Sequence, residues 1–435
     1  MAEPLTATTL EHLSRRLKEP AWLAQLRVAA LKRHGELAWP HPSDEVWRRT
    51  DVTQLDPMRG GFALAEDPGL LASLRLTDAQ LARFVQPLAE EYLNVRADGA
   101  WVSQMAPPGV AITDLAEAAQ RQEPLLQQIL GADGLTEPEQ KLETLNAAFH
   151  HDDCVISIPA GLRDPRPIRL VRLVSARPNA AVFPLTVITV GRGSSVVLID
   201  EYVGLPNDEA RAPHIINSRT ELVVEPEATV HYIRLQRWDA QAHEFLLQRA
   251  TLQEGARLVT VNINTGARIS KTHAIVQLLG RQAESRLYGF VFGHGQQHID
   301  QHTLQDHQAP HTFSDLLYKA ALKDDSRMIY TGLIRIAKAA KQTNAYQANH
   351  NLLLGRKASA ETLPMLEILA DDVQCKHGAT VGPVDEEQLF YLTTRGIAHE
   401  LAERLLVMGF VEPIIEQIPL EALRVRLREE LEGSL

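Results

Sequence analysis

Cysteine is scarce in this chain of 435 residues, since only Cys154 and Cys375 are present and they lie far apart. Such usage is typical of a protein of the reducing cytoplasm, and we expect no disulfide between the two. The sequence begins without an apolar stretch and contains no run of about 18 apolar residues, so we expect neither a secretory signal nor a membrane span. These absences predict a cytoplasmic protein.

Positive charge and recognisable catalytic motifs are also lacking. The formal net charge is −11, which argues against a surface built to bind nucleic acid. The sequence has no P-loop, no dinucleotide-binding glycine pattern and no nucleophile elbow. The "GRGSSV" stretch that begins at Gly191 reads as a short turn. We therefore expect the chain to depend on a partner for any use of ATP.

The first 150 residues read as a helical domain. Apolar residues recur at helical spacing at Leu10, Leu13 and Leu17, and again from Leu23, with a break at Pro20. Further helices are expected within residues 113–130 and 138–151, the second beginning near Pro138. Tryptophan is concentrated in this region, which favours a packed core.

Residues 151–385 change to short runs with the alternating pattern of β-strands. A polar or glycine turn, a small residue and a β run recur at intervals of roughly 28 to 41 residues, typical of repeat arrays. The small residues are Ser194, Ala228, Ala256, Ser285 and Ser326. A mainly β fold with a β-solenoid core is the interpretation that fits, and a β-sandwich is the alternative.

Residues 386–435 are expected to be helical again. One apolar stripe joins Ile397, Leu401, Leu405 and Met408 on a helix that Pro413 should end, and another runs from Leu420 to Leu431 on a last helix. Because the ends of a solenoid expose unpaired strand edges, we expect the two helical regions to cap it.

The "QCKH" stretch holds a thiol and an imidazole two positions apart. On a strand, Cys375 and His377 would share one face, as two metal ligands might. A tetrahedral site needs four ligands, so a metal reading requires donors from another chain. The alternative is that Cys375 is a buried small hydrophobe with a structural role only.

Two further clusters have a metal reading and a structural reading. The first is a histidine-dense stretch whose members would include outward-facing side chains of a strand: His294, His298, His302, His307 and His311. The second precedes Cys154 and comprises His150, His151, Asp152 and Asp153. For the first we favour hydrogen-bonded histidines of the solenoid, and for the second a solvated turn before the first strand.

Long motifs in the last third of the chain resemble the SufB/SufD family of iron–sulfur cluster assembly proteins. They lie between Asp324 and Phe410 and read "DDSRMIYTGLIRI", "QTNAYQANHNLLL", "PMLEILADDVQCKHGATVG" and "LFYLTTRGI". Within the family, "ADDVQCKHGATVG" and the N-terminal "EPAWLAQLRVAALKRHGELAWPHPSDEVWRRTDV" are most similar to SufD members. SufB members carry further cysteines in the solenoid, which this chain lacks.

The resemblance implies a right-handed parallel β-helix between helical terminal domains, with partners SufB and the ABC-type ATPase SufC, or a homodimer. It implies an ATPase contact in the C-terminal helical region, at Phe390, Tyr391, Arg395, Gly396, Leu405, Met408 and Phe410. Cys375 and His377 match a cysteine and a histidine near the SufB–SufD interface. The two would then hold a transient iron–sulfur cluster or iron together with SufB, and the isolated chain would hold no tight cofactor.

Three functions remain in competition. The first is a non-catalytic scaffold subunit that supports iron supply and the assembly of a nascent cluster. The second is a purely structural adaptor that holds SufC and SufB in register without binding the cluster. The third is a β-solenoid enzyme that cleaves polysaccharide with carboxylates such as Glu367, Asp371 and Asp372, against which the low aromatic content of 5% argues because few rings could stack on sugars.

Overall fold

The alternating apolar runs of the sequence form strands in two sheets. The computed structural model describes residues 3–65, 84–131, 137–175, 178–205 and 212–434. The strands are β1 (Glu3–Pro4), β2 (Ala63–Leu64), β3 (Tyr92–Ala97), β4 (Ala100–Ser103), β5 (Ala111–Thr113), β6 (Asp152–Ile158), β7 (Ile168–Ser175), β8 (Ala180–Val182), β9 (Pro184–Val190), β10 (Ser195–Leu205), β11 (His214–Val224), β12 (Thr229–Arg237), β13 (Ala242–Leu252), β14 (Arg257–Asn264), β15 (Ile269–Leu278), β16 (Glu284–Gly293), β17 (His298–His307), β18 (Phe313–Leu322), β19 (Arg327–Ile336), β20 (Thr343–Leu353), β21 (Ser359–Ile368) and β22 (Val373–Pro383). The helices are α1 (Ala7–Leu17), α2 (Ala21–Glu36), α3 (Leu115–Arg121), α4 (Glu123–Leu130), α5 (Glu137–Phe149), α6 (Glu386–Thr394), α7 (His399–Ile415) and α8 (Glu421–Ser434).

Successive strands alternate between two parallel sheets, which makes the core a β-solenoid of about seven turns. Sheet A runs in the order β11, β13, β15, β17, β19, β21, and sheet B in the order β10, β12, β14, β16, β18, β20, β22. The mainly β fold with a solenoid core and helical ends is therefore confirmed. The right-handed sense implied by the resemblance stays a prediction.

Equivalent residues of successive turns stack directly on one another inside the solenoid. Val196, Val230 and Leu258 are register partners on sheet B and all are buried. Burying an aliphatic side chain contributes roughly 1.5–3 kcal/mol, so each apolar row adds stability turn by turn. This explains why a weak repeat suffices to specify the fold.

Small residues precede or begin most strands of sheet B at equivalent register positions, and they are buried. The structural register gives this row as Ser194, Ala228, Ala256, Ala283, Thr312 and Thr343. Two members of the predicted row were wrong, because Ser285 lies inside β16 and Ser326 precedes a strand of sheet A.

The N-terminal helices pack on the outer face of sheet A. Helices α1 and α2 are separated at Pro20, which is the N-cap residue of α2, so the predicted break is confirmed. Their apolar faces join a cluster with strand residues of sheet A, including Ile215 and Phe245. The region also contributes strands that the helical pattern did not predict, since β3 pairs with β7 and β5 pairs with β6.

The C-terminal helices pack on the outer face of sheet B rather than over the end of the solenoid. Val407, Val411 and Ile414 of α7 are buried against strand residues of that sheet. The predicted stripe of α7 was therefore assigned to the wrong face, because Leu401 and Leu405 are exposed. The stripe of α8 is confirmed, with Leu423, Leu427 and Leu431 buried.

Pro413 does not end α7, which continues to Ile415. The prediction failed because the packing of Ile414 and Ile415 on sheet B outweighs the loss of one backbone hydrogen bond near the helix end. In the part of the chain that the structure describes, no helix has both the length and the apolar character needed to cross a bilayer.

A candidate ligand pair at the open end of the solenoid

The last turn of the solenoid consists of β21 and β22, and each has only one neighbour among the described strands. β21 pairs with β19, and β22 pairs with β20. The expectation that helices cap this end was wrong, because the C-terminal helices lie on the side of sheet B. Unpaired strand edges invite pairing with another chain.

Apolar side chains are concentrated at this open end. Leu366 and Ile368 stack on Ile334 and Ile336 of the turn below, but nothing described lies above them. Leu369, between the two last strands, is 60% exposed. Val381, at an inward position of β22, is exposed as well. Exposed apolar side chains grouped at a sheet edge are typical of an interaction surface.

Cys375 and His377 both lie on β22 and face the interior of this last turn. Their register partners on β20, Ala345 and Gln347, are buried inside the solenoid, whereas the intervening Tyr346 is exposed. Because side chains alternate along a strand, the thiol and the imidazole share the inward face. Cys375 is half-buried against the Ala345 cluster, and His377 is exposed.

The chemistry of this pair fits half of a metal site. Partial burial raises the pKa of the Cys375 thiol, so the thiol is protonated at neutral pH until a metal or another positive charge approaches. Thiolate and imidazole are ligands of iron–sulfur clusters and zinc. Over the described residues no group of three or more His, Cys, Asp or Glu side chains could hold a metal ion. Further ligands would have to come from another molecule.

The histidine-dense stretch serves the fold on both faces of β17. His298 and His302 face outward, where His302 Nε2 lies 3.0 Å from both Lys271 Nζ and an Asp300 oxygen. His307 faces inward and bonds to the hydroxyl oxygens of Thr312 and Ser314, 2.7 and 2.8 Å away.

Burial lowers the pKa of His298, His302 and His307 to about 4, which keeps all three neutral near pH 7. His294 and His311 lie in turns between strands. The structural reading of this stretch therefore fits the geometry.

The cluster before Cys154 is buried, so the solvated turn predicted there was wrong. His150 Nδ1 lies 2.9 Å from Asp153 and 3.0 Å from Arg27, which joins α2 to the start of β6. Asp152 accepts from Arg96 Nε at 2.6 Å. Burial raises the pKa of Cys154 to about 12, so this thiol is inert. The cluster is an ion-pair network that fixes helices to the solenoid.

The residues expected to contact an ATPase divide into two groups. Phe390 and Tyr391 on α6 are 71% and 56% exposed, and Leu405, Arg395 and Gly396 are exposed as well. Met408 and Phe410 are instead half-buried and pack toward sheet B. Lys319 donates a hydrogen bond of 2.7 Å to the Phe410 carbonyl, and its ammonium lies over the Phe410 ring.

Sequence reasoning missed Gln347 beneath His377. The signal was present in the strand alternation of "TNAYQANHNLL", where every second residue from Thr343 to Asn351 faces inward and is buried. A glutamine at an inward position of a solenoid is a buried polar group that needs a partner.

The fold and the open end together define a β-solenoid protein with a thiol and an imidazole side by side on an unpaired edge strand. The family model of the SufBD core domain of the SUF iron–sulfur cluster assembly system matches residues 173–410. The chain therefore belongs to the SufBD family of iron–sulfur cluster assembly proteins.

Individual relatives carry the same description, and the alignments cover nearly their whole length. An iron–sulfur cluster assembly SufBD family protein of Synechocystis is 27% identical, with 94% of this chain and 91% of the relative aligned. Proteins of the same description from Staphylococcus saprophyticus and Staphylococcus aureus are 23% and 24% identical, with 99% of this chain and 94% of each relative aligned.

Proposed function

We propose that this chain is a non-catalytic scaffold subunit, most similar to SufD, that helps to hold iron or a nascent iron–sulfur cluster at the end of its solenoid. The observation that carries the proposal is the inward-facing pair Cys375 and His377 on an open edge strand. Two ligands from one chain hold a cluster only when a second chain supplies the rest. Such a shared site opens when the chains move apart, which suits a cluster that must be passed on.

The second chain proposed is SufB, with a second copy of this chain as the alternative arrangement. The exposed apolar patch around Leu366 and Leu369 and the unpaired edges of β21 and β22 support it. Pairing at these edges would extend both sheets and bury the patch. It would also bring ligands of the partner toward Cys375 and His377.

The ATPase SufC is the partner proposed for α6 and the first half of α7. Helix α6 has no buried residue, and its Phe390 and Tyr391 project from the molecule. Aromatic residues that can be buried on binding dominate many protein interfaces. A helix pair anchored on sheet B by its second half would transmit the movement of a bound ATPase to the solenoid.

A structural adaptor remains the second candidate, and one observation favours it. Cys375 packs with Val373 against a small apolar cluster that includes Ala345 and Ala370, as a structural cysteine would. In that case His377 would be an exposed side chain without a role, and only the interfaces would matter.

Anaerobic co-expression with SufB and SufC, followed by measurement of iron and acid-labile sulfide per complex, decides between the two. We expect His377→Ala to leave the complex assembled and to lower both contents at least several-fold. His350→Ala is the matched control, because His350 lies near the same edge on the outward face of β20 and bonds to Thr380. Equal iron and sulfide in the wild type and His377→Ala complexes would leave the adaptor as the function.

A further inference from the structure

Gln347 lies directly beside His377 in the parallel register of β20 and β22. Its side chain is buried, with 1% of its surface exposed, and faces the interior of the solenoid. Neighbouring strands of a sheet lie about 4.8 Å apart, so side chains at paired inward positions are within reach of each other. The glutamine side chain is therefore within reach of the imidazole.

The amide of Gln347 has a fixed orientation. Its Nε2 donates to the carbonyls of Gly332 and Met365, at 3.2 and 3.3 Å. Gly332 is the register partner of Pro364, which has no N–H to give to the sheet. Only the NH2 group of an amide can donate hydrogen bonds to two carbonyl oxygens. The amide therefore cannot be flipped so that Oε1 takes the position of Nε2.

The oxygen of Gln347 is left without a hydrogen-bond partner among the described residues. It occupies space that a glycine leaves open, since a Cβ at Gly332 would lie 2.5 Å from Gln347 Oε1. Buried acceptors are almost always paired in native proteins. Because this acceptor lies on the strand next to an exposed, inward-facing histidine, the imidazole of His377 is the candidate for its missing partner.

We propose that Gln347 Oε1 accepts a hydrogen bond from one ring N–H of His377 while the other ring nitrogen binds the metal. Gln347 is thus a positioning residue for the ligand role of His377, and the inference rests on the proposed function. Ligating histidines usually donate their second N–H to such an acceptor, which fixes the tautomer and the ring orientation.

The choice of an amide instead of a carboxylate suits a transient site. A carboxylate acceptor would add negative charge and strengthen metal binding, whereas a neutral amide oxygen orients the ring with little effect on its basicity. Gln347 would therefore select one ring nitrogen for the metal without making release difficult.

Zinc titration of the full chain, with nitrogen NMR of the labelled histidines, tests the proposal. Zinc(II) is a diamagnetic probe for the thiolate and imidazole pair, and the ¹⁵N shifts report which nitrogen binds it. In the wild type we expect one nitrogen of His377 to bind zinc and the other to carry the proton. Gln347→Met should weaken zinc binding about tenfold and mix the two nitrogens.

Two further variants separate positioning from packing. Gln347→Glu keeps an acceptor oxygen but loses the donor to Gly332 and Met365, so we expect zinc affinity at or above that of the wild type. Gln305→Met is the matched control, because Gln305 is also buried with an unpaired oxygen but does not lie beneath His377. It should leave zinc binding unchanged.

The outcomes distinguish this inference from the proposed function. If His377→Ala does not weaken zinc binding, the ligand role itself is wrong. If His377→Ala weakens it but Gln347→Met does not, only the positioning role is wrong. An equal loss in Gln347→Met and Gln347→Glu would show that Gln347 acts through packing. Should Gln347→Glu fail to fold, the identity of the zinc-bound nitrogen in Gln347→Met, compared with Gln305→Met, decides.

Discussion

The hydroxyl of Thr50 donates a hydrogen bond to the carboxylate of Asp300 across 2.6 Å, which joins the N-terminal region to the outer face of sheet A. The same carboxylate accepts from Lys271 Nζ at 2.5 Å, and that ammonium also donates to the Val46 carbonyl and lies over the Trp47 ring. Residues of the histidine-dense stretch and its neighbours thus dock the segment after α2 onto the solenoid.

Asp300→Asn should destabilise the protein markedly, because it leaves the Lys271 ammonium buried without its counter-charge. Lys271 and Asp300 are each 1% exposed, and breaking a buried ion pair on one side costs about 3 kcal/mol or more. Asparagine keeps an acceptor for Thr50, so the loss reports the charge. Urea unfolding followed by tryptophan fluorescence measures it, since Trp47 lies at the junction.

Glu361→Gln is the control for this prediction. Glu361 bridges Arg49 and Arg327 on the same face of sheet A but is 45% exposed. Exposed ion pairs contribute about 1 kcal/mol or less, so the urea midpoint should hardly move. Similar losses in both variants would contradict the account of the buried Lys271–Asp300 pair.

Acid should destabilise the fold through His307, whose pKa burial lowers from 6.5 to about 4. The unfolded chain takes up this proton near pH 6.5, whereas the folded chain takes it up only near pH 4. The contribution is therefore complete above pH 6.5 and is lost as the pH falls toward 4, by about 3 kcal/mol in total.

His307→Gln tests this pH dependence, because an amide can keep the bonds to Thr312 and Ser314 but does not titrate. The free energy of unfolding of the variant should depend less steeply on pH between 6.5 and 4, by the equivalent of one proton. His298 and His302 contribute to both proteins and cancel in the difference. Parallel curves for the two proteins would show that His307 is not the group responsible.

The sequence predicted those features that depend on local periodicity. Alternating runs identified the solenoid strands, and Pro20 marked the break between α1 and α2. Packing against strands distant in sequence determined which face of a helix is buried, and the local pattern did not predict this. Leu401 and Leu405 have the spacing of a buried face, but sheet B packs against Val407 and Val411 on another face of the same helix.

The candidate ligand pair could be identified from the sequence because strand alternation alone places Cys375 and His377 on one face. The neighbours that give this pair its surroundings come from other turns of the solenoid. Gln347 is thirty residues earlier in the chain and is adjacent only through the register of β20 and β22. Likewise, charged residues before Cys154 look like a solvent-exposed turn until Arg27 and Arg96 meet them in the fold.

Leu369→Glu should weaken pairing of the chain with SufB, or with a second copy of itself, by at least tenfold. A charge placed on the apolar patch at the open end would be buried by a partner at a cost that exceeds 1.4 kcal/mol, the free energy of a tenfold change. Sedimentation velocity of the purified chain, alone and with SufB, measures the association. The thermal midpoint of the variant should match that of the wild type, because Leu369 is 60% exposed.

Leu279→Glu is the matched control for the open end. Leu279 is 42% exposed in a turn between β15 and β16, away from the last turn. Association should be the same as in the wild type. If Leu369→Glu and Leu279→Glu weaken association equally, the added charge and not the open end is the cause.

Alanine substitutions in the C-terminal helices should separate contacts with SufC from contacts with the solenoid. Phe390→Ala and Tyr391→Ala remove side chains that project from the molecule, so they should leave thermal stability unchanged and weaken SufC binding about thirtyfold, as interface anchors do. Phe410→Ala should have the opposite effect, because the Phe410 ring packs against sheet B and beneath the Lys319 ammonium. We expect it to lower the free energy of unfolding by about 2 kcal/mol.

Calorimetric titration with SufC measures the binding, and thermal unfolding measures the stability. Val425→Ala on α8 is the control, because Val425 is an exposed apolar side chain outside the proposed SufC-binding surface. SufC binding that survives in the double Phe390→Ala, Tyr391→Ala variant would remove α6 from the interface.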